Sequence, residues 1–247
     1  MAKQGPANFL VRECPSFAGP VGEQRIQRGE IHIWHASPAT HGLHPDAQQL
    51  LSTDEKERMA RFRFDTDRHN FLFCRSMLRI LLASYLGSPP AELRFAYSAH
   101  GKPSLSISSC ALEFNLSHTE GRVLLAVCLG NRVGVDVERI RRNFAALDIA
   151  DRFFSEAEKK ALRATPEEFL YEAFFHCWTR KEAFVKGRGD GLSCPLAGFD
   201  VSLAPEDEQV SLTIPGDSAE SRRWQLWSLN NFPQCAAALA AEVNHGQ

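Results

Sequence analysis

Two short stretches of this chain carry residue types whose spacing would bring them together for chemistry. The first is Gly134-Val135-Asp136-Val137-Glu138. Side chains alternate faces along a strand, so Asp136 and Glu138 point the same way while Val135 and Val137 point into a core. Two carboxylates about 7 Å apart along a strand repel one another unless a cation sits between them. A hard divalent cation such as Mg²⁺ suits oxygen ligands and keeps positions open for phosphate or water. The polar side of a solvent-facing edge strand would carry the same pattern. The second stretch is Trp178-Thr179-Arg180-Lys181-Glu182-Ala183-Phe184-Val185-Lys186. On a helix Trp178, Glu182 and Lys186 share one face. Glu182 could supply a third carboxylate or act as a general base, and Lys186 could meet a phosphate oxygen. An exposed Glu–Lys pair worth a few tenths of a kcal/mol is the alternative. Gly187, Gly189 and Gly191 follow and permit close approach of the backbone to a ligand.

Further polar groups fit an anion. Asn115-Leu116-Ser117-His118 reads as the exit of a strand, where Ser117 and His118 are placed to donate. Gly101-Lys102-Pro103 is a turn that presents one cation. Between Lys56 and Arg79 lie seven Lys and Arg residues interleaved with Phe62, Phe64, Phe71 and Phe73. Such a run makes a solvated helix face or a basic, aromatic-lined groove. Together these groups describe a divalent metal beside several phosphate-binding cations.

The elements that must position them follow from local signals. Ser52-Thr53-Asp54-Glu55 is a capping box that predicts a helix over 53–60, and a longer helix is predicted over 67–86, closed by Gly87 and Pro89-Pro90. Strands are expected at 31–34, 93–97, 112–115, 123–129 and 133–139, the last two forming a hairpin about Gly130-Asn131. Ser155-Glu156-Ala157-Glu158 is a second capping box, and Thr165-Pro166-Glu167-Glu168 predicts a helix start running to about Lys186. Tail strands are expected at 199–203, 224–229 and 235–242. From Ser52 to Arg79 is 27 residues and from Ser155 to Lys181 is 26, so the halves look alike. The expectation is an α+β fold of two similar α/β halves in a pseudo-twofold arrangement, with the site in the cleft between them. Residues 1–28 read as an irregular arm, 29–130 as the N-terminal half and 131–247 as the C-terminal half.

Composition narrows the function classes. The chain has 247 residues, 44% hydrophobic and 23% charged, which excludes a disordered, collagenous or coiled-coil chain. No apolar run approaches the roughly 20 residues that cross a bilayer, and the N-terminus lacks a signal pattern, so a cytoplasmic protein is expected. Seven cysteines without CxxC spacing read as buried free thiols. A net charge of −2 gives no push toward nucleic acid, which weighs against a Mg²⁺-dependent nuclease. A non-catalytic nucleotide-binding module is weighed against by the presence of Asp136, Glu182 and Lys186 together.

Taken in order, Gly101–Pro103, Phe114–His118, Gly134–Glu138 and Trp178–Lys186 resemble the Sfp-type 4′-phosphopantetheinyl transferase family, with Phe153–Glu158 fitting as well. The resemblance covers most of residues 30–230. It implies transfer of the phosphopantetheine arm from coenzyme A to a serine of an apo acyl, peptidyl or aryl carrier protein, releasing 3′,5′-ADP. It further implies Asp136, Glu138 and Glu182 as ligands of Mg²⁺, and Glu182 and Lys186 as the catalytic pair. Arg58, Arg79, Lys102, Ser117, His118 and Lys186 would hold coenzyme A. Glu55 stands where a relative has Lys, so Arg61, Arg63 or Arg75 would compensate. Glu158 lies near the site in the family pattern but also completes a capping box. Carrier docking is expected over the cleft, with Arg152, Lys159, Lys160 and Arg163 as contacts. One chain suffices to form the cleft, so a monomer is expected.

Overall fold

The computed structural model describes residues 8–15, 21–106, 111–191, 194–204 and 208–243. The first part of the chain forms β1 (Asn8–Glu13), β2 (Glu30–Ala36), α1 (Pro38–His41), α2 (Ala47–Leu50), α3 (Thr53–Ala60), α4 (Asp65–Leu86), β3 (Phe95–Tyr97), β4 (Pro103–Leu105), β5 (Leu112–Thr119) and β6 (Arg122–Leu129). The rest forms β7 (Val133–Arg139), α5 (Ala146–Phe153), α6 (Glu156–Ala164), α7 (Leu170–Arg188), β8 (Asp200–Val201), β9 (Gln209–Val210), β10 (Leu212–Thr213), α8 (Ser218–Arg223), β11 (Trp224–Ser228) and β12 (Cys235–Glu242). This is an α+β fold. Among the described residues no helix is long and apolar enough to cross a membrane.

Two four-stranded sheets carry the structure, ordered β1-β2-β6-β5 and β7-β12-β11-β9. Alternation within the strands sorts side chains into layers. In β6, Val123, Leu125 and Val127 join a core with Phe73, Met77, Leu78 and Leu81 of α4. The intervening Leu124 and Ala126 meet Val135, Val137 and Leu239 of the other sheet. On the far face of that sheet Ala236, Ala238 and Ala240 of β12 pack under Phe174, Phe175 and Phe184 of α7. The order is therefore helix, sheet, sheet, helix. Small side chains on β12 let α7 lie close to its sheet.

Several boundaries follow local chemistry. In α3 and α6 the capping boxes are formed, Ser52 N–H donating to Glu55 Oε2 at 3.0 Å and Ser155 N–H to Glu158 Oε2 at 2.9 Å. α4 and α7 end at Gly87 and Gly189, both left-handed at φ 61° and 82°, a conformation that costs glycine nothing.

Other expectations are corrected. The Gly130-Asn131 turn does not close a hairpin: β6 pairs with β2 and β5, whereas β7 pairs with β12. β7 instead takes β12, the last strand of the described residues, as its antiparallel partner. The arm at 1–28 is not wholly irregular, since β1 adds to β2 in parallel register. The 112–115 strand continues to Thr119, so Ser117 and His118 lie within β5 rather than at a turn. Thr165 does not cap a helix; its hydroxyl bonds back to Ala161 O, and a 3₁₀ turn precedes α7. The described cysteines are free, Cys14, Cys74, Cys128 and Cys177 buried and Cys194 and Cys235 partly so, while Cys110 lies outside the described residues.

Candidate active site

A cleft of about 1080 Å³ opens between α3, α4, β5 and α7. Arg58 and Arg75 face it from α3 and α4, Lys102 from the turn before β4, and His118 from β5. Glu182 and Lys186 line it from α7. The juxtaposition of β7 and α7 depends on Gly134. A Cβ there would stand 2.0 Å from Ala183 O and 2.3 Å from Gly187 N, so the helix backbone rests directly on the strand. That contact brings Glu182 and Lys186 beside Asp136 and Glu138.

The electrostatics are those of three neighbouring carboxylates, one of which, Asp136, holds the Lys186 ammonium. Asp136 is 3% exposed. Its Oδ1 accepts from Lys186 Nζ at 2.5 Å and from Ser117 Oγ at 2.8 Å. Burial, then the Asp136 charge, push the pKa of Glu182 up; Glu138 adds to this and Lys186 opposes it. Glu138 is raised for the same two leading reasons, against the Thr119 hydroxyl and the charges of Lys186 and Arg141. Burial of the His118 ring, and then Lys186, hold its pKa below the ordinary imidazole value. Like charges gathered out of water are costly unless a cation joins them.

The donor set fits a hard divalent cation. Among the described residues Asp136 Oδ2 is buried with no hydrogen-bond partner, and two further carboxylates of raised pKa adjoin it. Among the described residues no three His, Cys, Asp or Glu side chains already converge on one point as a metal cluster. The Lys186 ammonium occupies Asp136 Oδ1 instead, so one lysine supplies the compensating charge.

Three expected nucleotide contacts are placed otherwise. Arg79 is 1% exposed and not brought to the cleft. Its Nε donates to Glu55 Oε2 at 2.7 Å and its Nη1 to Pro90 O and Leu93 O, both at 3.0 Å. Glu55, which stands where a basic residue was looked for, is thus the partner that locks Arg79 inside. Lys102 lines the cleft, but its ammonium turns onto Lys186 O at 2.6 Å and Gly187 O at 3.2 Å, carbonyls of the last turn of α7. A cation there meets the negative end of the helix. Ser117 is buried, its hydroxyl spent on Asp136, on Lys186 Nζ and on Val137 N–H.

Arg58 remains open to the cleft, its guanidinium 5.6 Å from the Phe71 ring centroid. Of the three compensating arginines, Arg75 lines the cleft, stacked over Phe71 and Tyr97. Glu158 is a capping and core residue: Lys181 Nζ donates to its Oε1 at 2.6 Å and Val201 N–H at 2.8 Å. Sequence reasoning missed Asn115 and Thr119 as participants. Their signal was the alternation Asn115-x-Ser117-x-Thr119, which places three polar side chains on one face of β5.

Comparison with known proteins identifies the family. Residues 132–240 match the 4′-phosphopantetheinyl transferase superfamily, and residues 33–129 match a family described as 4′-phosphopantetheinyl transferase, N-terminal. The chain is 34% identical over 214 residues to the 4′-phosphopantetheinyl transferase HetI of Nostoc sp., covering 85% of this chain and 87% of that protein. It is 33% identical over 166 residues to the 4′-phosphopantetheinyl transferase Sfp of Bacillus subtilis, covering 67% and 72%. The human L-aminoadipate-semialdehyde dehydrogenase-phosphopantetheinyl transferase is 29% identical over 195 residues, covering 72% of this chain and 62% of that one. Since the carboxylates of β7 and α7, the lysine between them and both walls of the cleft all fall inside the matched regions, the chain belongs to the Sfp-type 4′-phosphopantetheinyl transferase family.

Proposed function

We propose that this transferase moves the 4′-phosphopantetheine arm of coenzyme A onto a serine of an apo acyl, peptidyl or aryl carrier protein, releasing 3′,5′-ADP, with Mg²⁺ held by Asp136, Glu138 and Glu182. The observation that carries the reading is the buried Asp136 carboxylate paired with Lys186, with Glu138 and Glu182 close enough to feel its charge, at the wall of a cleft large enough for a nucleotide. Bound there, Mg²⁺ supplies charge neutralisation for the pyrophosphate and for the departing phosphate. The chain's own residues do the rest. Arg58, Arg75 and His118 face the nucleotide, and Lys186, within reach of both Asp136 and the cleft, takes a phosphate oxygen. The serine oxygen bonds to the β-phosphorus as the bond from that phosphorus to the bridging oxygen breaks. Glu182, whose pKa is raised, accepts the serine proton.

The two halves are read as a pseudo-twofold pair, divided at 130/131. A parallel contact in each supports this. Glu55, at the third position of capped helix α3, ion-pairs with Arg79 of α4, and Glu158, at the same position of α6, with Lys181 of α7. The arm 1–28 stays outside that pair, although β1 extends the first sheet. Carrier docking over α5 is supported by Phe153, 42% exposed, and Arg152, both at the cleft. Of the other basic candidates, Lys159 and Arg163 are held by Glu156 and Asp151, and Lys160 adjoins them on α6. Since one chain contains the whole cleft, the working unit is read as a monomer. Free thiols support the cytoplasm as its compartment.

Intact mass of an apo acyl carrier protein, incubated with this protein, coenzyme A and Mg²⁺, tests the reading. A gain of roughly 340 Da, abolished by EDTA, is expected from metal-assisted phosphoryl transfer. No gain with several unrelated carriers, despite coenzyme A binding, would make the chain a non-catalytic binding module. No gain and no binding would reject coenzyme A as its substrate.

A further inference from the structure

Among the described residues β7 is an edge strand, paired with β12 on one side only. Its outward N–H groups meet side chains rather than a strand. Val135 N–H donates to Asn115 Oδ1 at 2.9 Å, Val137 N–H to Ser117 Oγ at 3.4 Å and Arg139 N–H to Thr119 Oγ1 at 3.1 Å. The acceptors sit at alternate positions of β5 and their donors at alternate positions of β7, so the two sheets are laced in a fixed register.

A hydroxyl has one hydrogen to give and lone pairs to accept with. Once Thr119 Oγ1 accepts Arg139 N–H, its own hydrogen is free to donate, and it goes to Glu138 Oε2 at 3.2 Å. Ser117 does the same for Asp136 while also receiving Lys186. Thr119 has the simpler pair of contacts: one to the backbone that carries the carboxylate, one to the carboxylate itself.

We propose that Thr119 is a positioning residue that orients Glu138 for a divalent cation while holding β7 in register. The proposal rests on the reading of Asp136, Glu138 and Glu182 as the metal cradle. It assigns Thr119 no contact with substrate. Partners that orient a metal ligand commonly change affinity 10–100-fold when removed.

The test is Mn²⁺ binding to the full-length protein, followed by loss of the free-ion electron paramagnetic resonance signal, beside exchange of the Arg139 amide hydrogen. Thr119→Val preserves shape and removes the hydroxyl. It should weaken Mn²⁺ binding about 10–100-fold and speed Arg139 amide exchange, and Thr119→Ser should restore both to within about threefold. In a Glu138→Gln background Thr119→Val should add nothing further to the loss of Mn²⁺ affinity, because its effect runs through that carboxylate. If Thr119→Val folds poorly, Thr119→Ala and Thr119→Ser carry the comparison. Wild-type Mn²⁺ affinity in Thr119→Val, failure of Thr119→Ser to rescue, or an undiminished effect in the Glu138→Gln background would overturn the proposal. Wild-type protein that binds Mn²⁺ no better than Asp136→Asn would instead remove the metal reading, and the proposal with it.

Discussion

Glu182 opens onto the cleft, whereas Glu55 is sealed beneath Arg75 and Arg79 at 3.8 and 2.7 Å, and that difference decides what each neighbourhood does when altered. If Glu182 takes the serine proton, Glu182→Gln should cut turnover by about 10²–10⁴-fold while coenzyme A affinity moves less than about threefold. Single-turnover kinetics beside calorimetric titration would separate these, and equal losses in both would reduce Glu182 to a metal ligand. Arg79→Met takes the nearer guanidinium from the buried Glu55 and leaves it only Arg75 at 3.8 Å, so unfolding in urea should show a loss of about 3 kcal/mol. Arg58→Ala should do the reverse, leaving the urea midpoint in place and weakening coenzyme A about tenfold, the worth of one charged hydrogen bond. A stability loss with Arg58→Ala, or none with Arg79→Met, would contradict the placement of these arginines.

At the scale of elements, the site is made by one close approach and braced by two buried pairs. Gly134→Ala would thrust a methyl into the backbone of α7, and the helix must lift. Overpacking costs about 1–3 kcal/mol and more where backbone must move. Because lifting α7 parts Glu182 from Asp136, the Mg²⁺ concentration for half-maximal transfer should rise together with the loss of thermal stability. An unchanged Mg²⁺ requirement in a destabilised Gly134→Ala protein would show that the contact serves folding alone. The Lys181–Glu158 pair, at 2.6 Å and sealed from solvent, joins α6 to α7. Lys181→Met should cost about 3–5 kcal/mol, and adding Glu158→Leu should recover only part of it, because the second change removes the stranded charge but also the acceptor of the Ser155 and Val201 amides. Denaturant midpoints of the two variants check the order.

Across the whole molecule, stability should depend on pH through imidazoles kept neutral inside it. His32 is buried on β2, its Nδ1 2.6 Å from the Tyr85 hydroxyl, which also accepts from Trp34 Nε1 at 2.8 Å. The Tyr85 hydroxyl thus ties His32 and Trp34 together beneath the sheet. Burial first, and then Arg12, hold the His32 pKa below its ordinary 6.5, with Glu30 opposing. The unfolded chain then binds the proton more readily than the folded one. Stability is full above about pH 7 and falls as pH drops through 6.5 toward the lower folded-state value, by at most about 1.4 kcal/mol per pH unit for one group. Urea unfolding at pH 7.5 and 5.5 should show this loss, and His32→Asn, which keeps an acceptor and removes the titration, should flatten it. An equal acid slope in both proteins would assign the effect to other groups.

Features that depend on neighbours a few residues away could be read directly from the residues. Ser52 with Glu55 and Ser155 with Glu158 close their capping boxes across three residues, so α3 and α6 were legible. The alternation of β7 and the four-residue spacing of Trp178, Glu182 and Lys186 likewise set which side chains share a face. Only the tertiary structure decided which strand covers β7, because β12 arrives from the far end of the chain and nothing near Gly130 signals it. It also decided where the phosphate-binding candidates spend their polar groups. Arg79, Lys102 and Ser117 have the right chemistry for a phosphate, but packing supplied each with a carboxylate or carbonyl partner first. A charged group's role is set by what neutralises it, and that partner is chosen by contacts between residues distant in sequence.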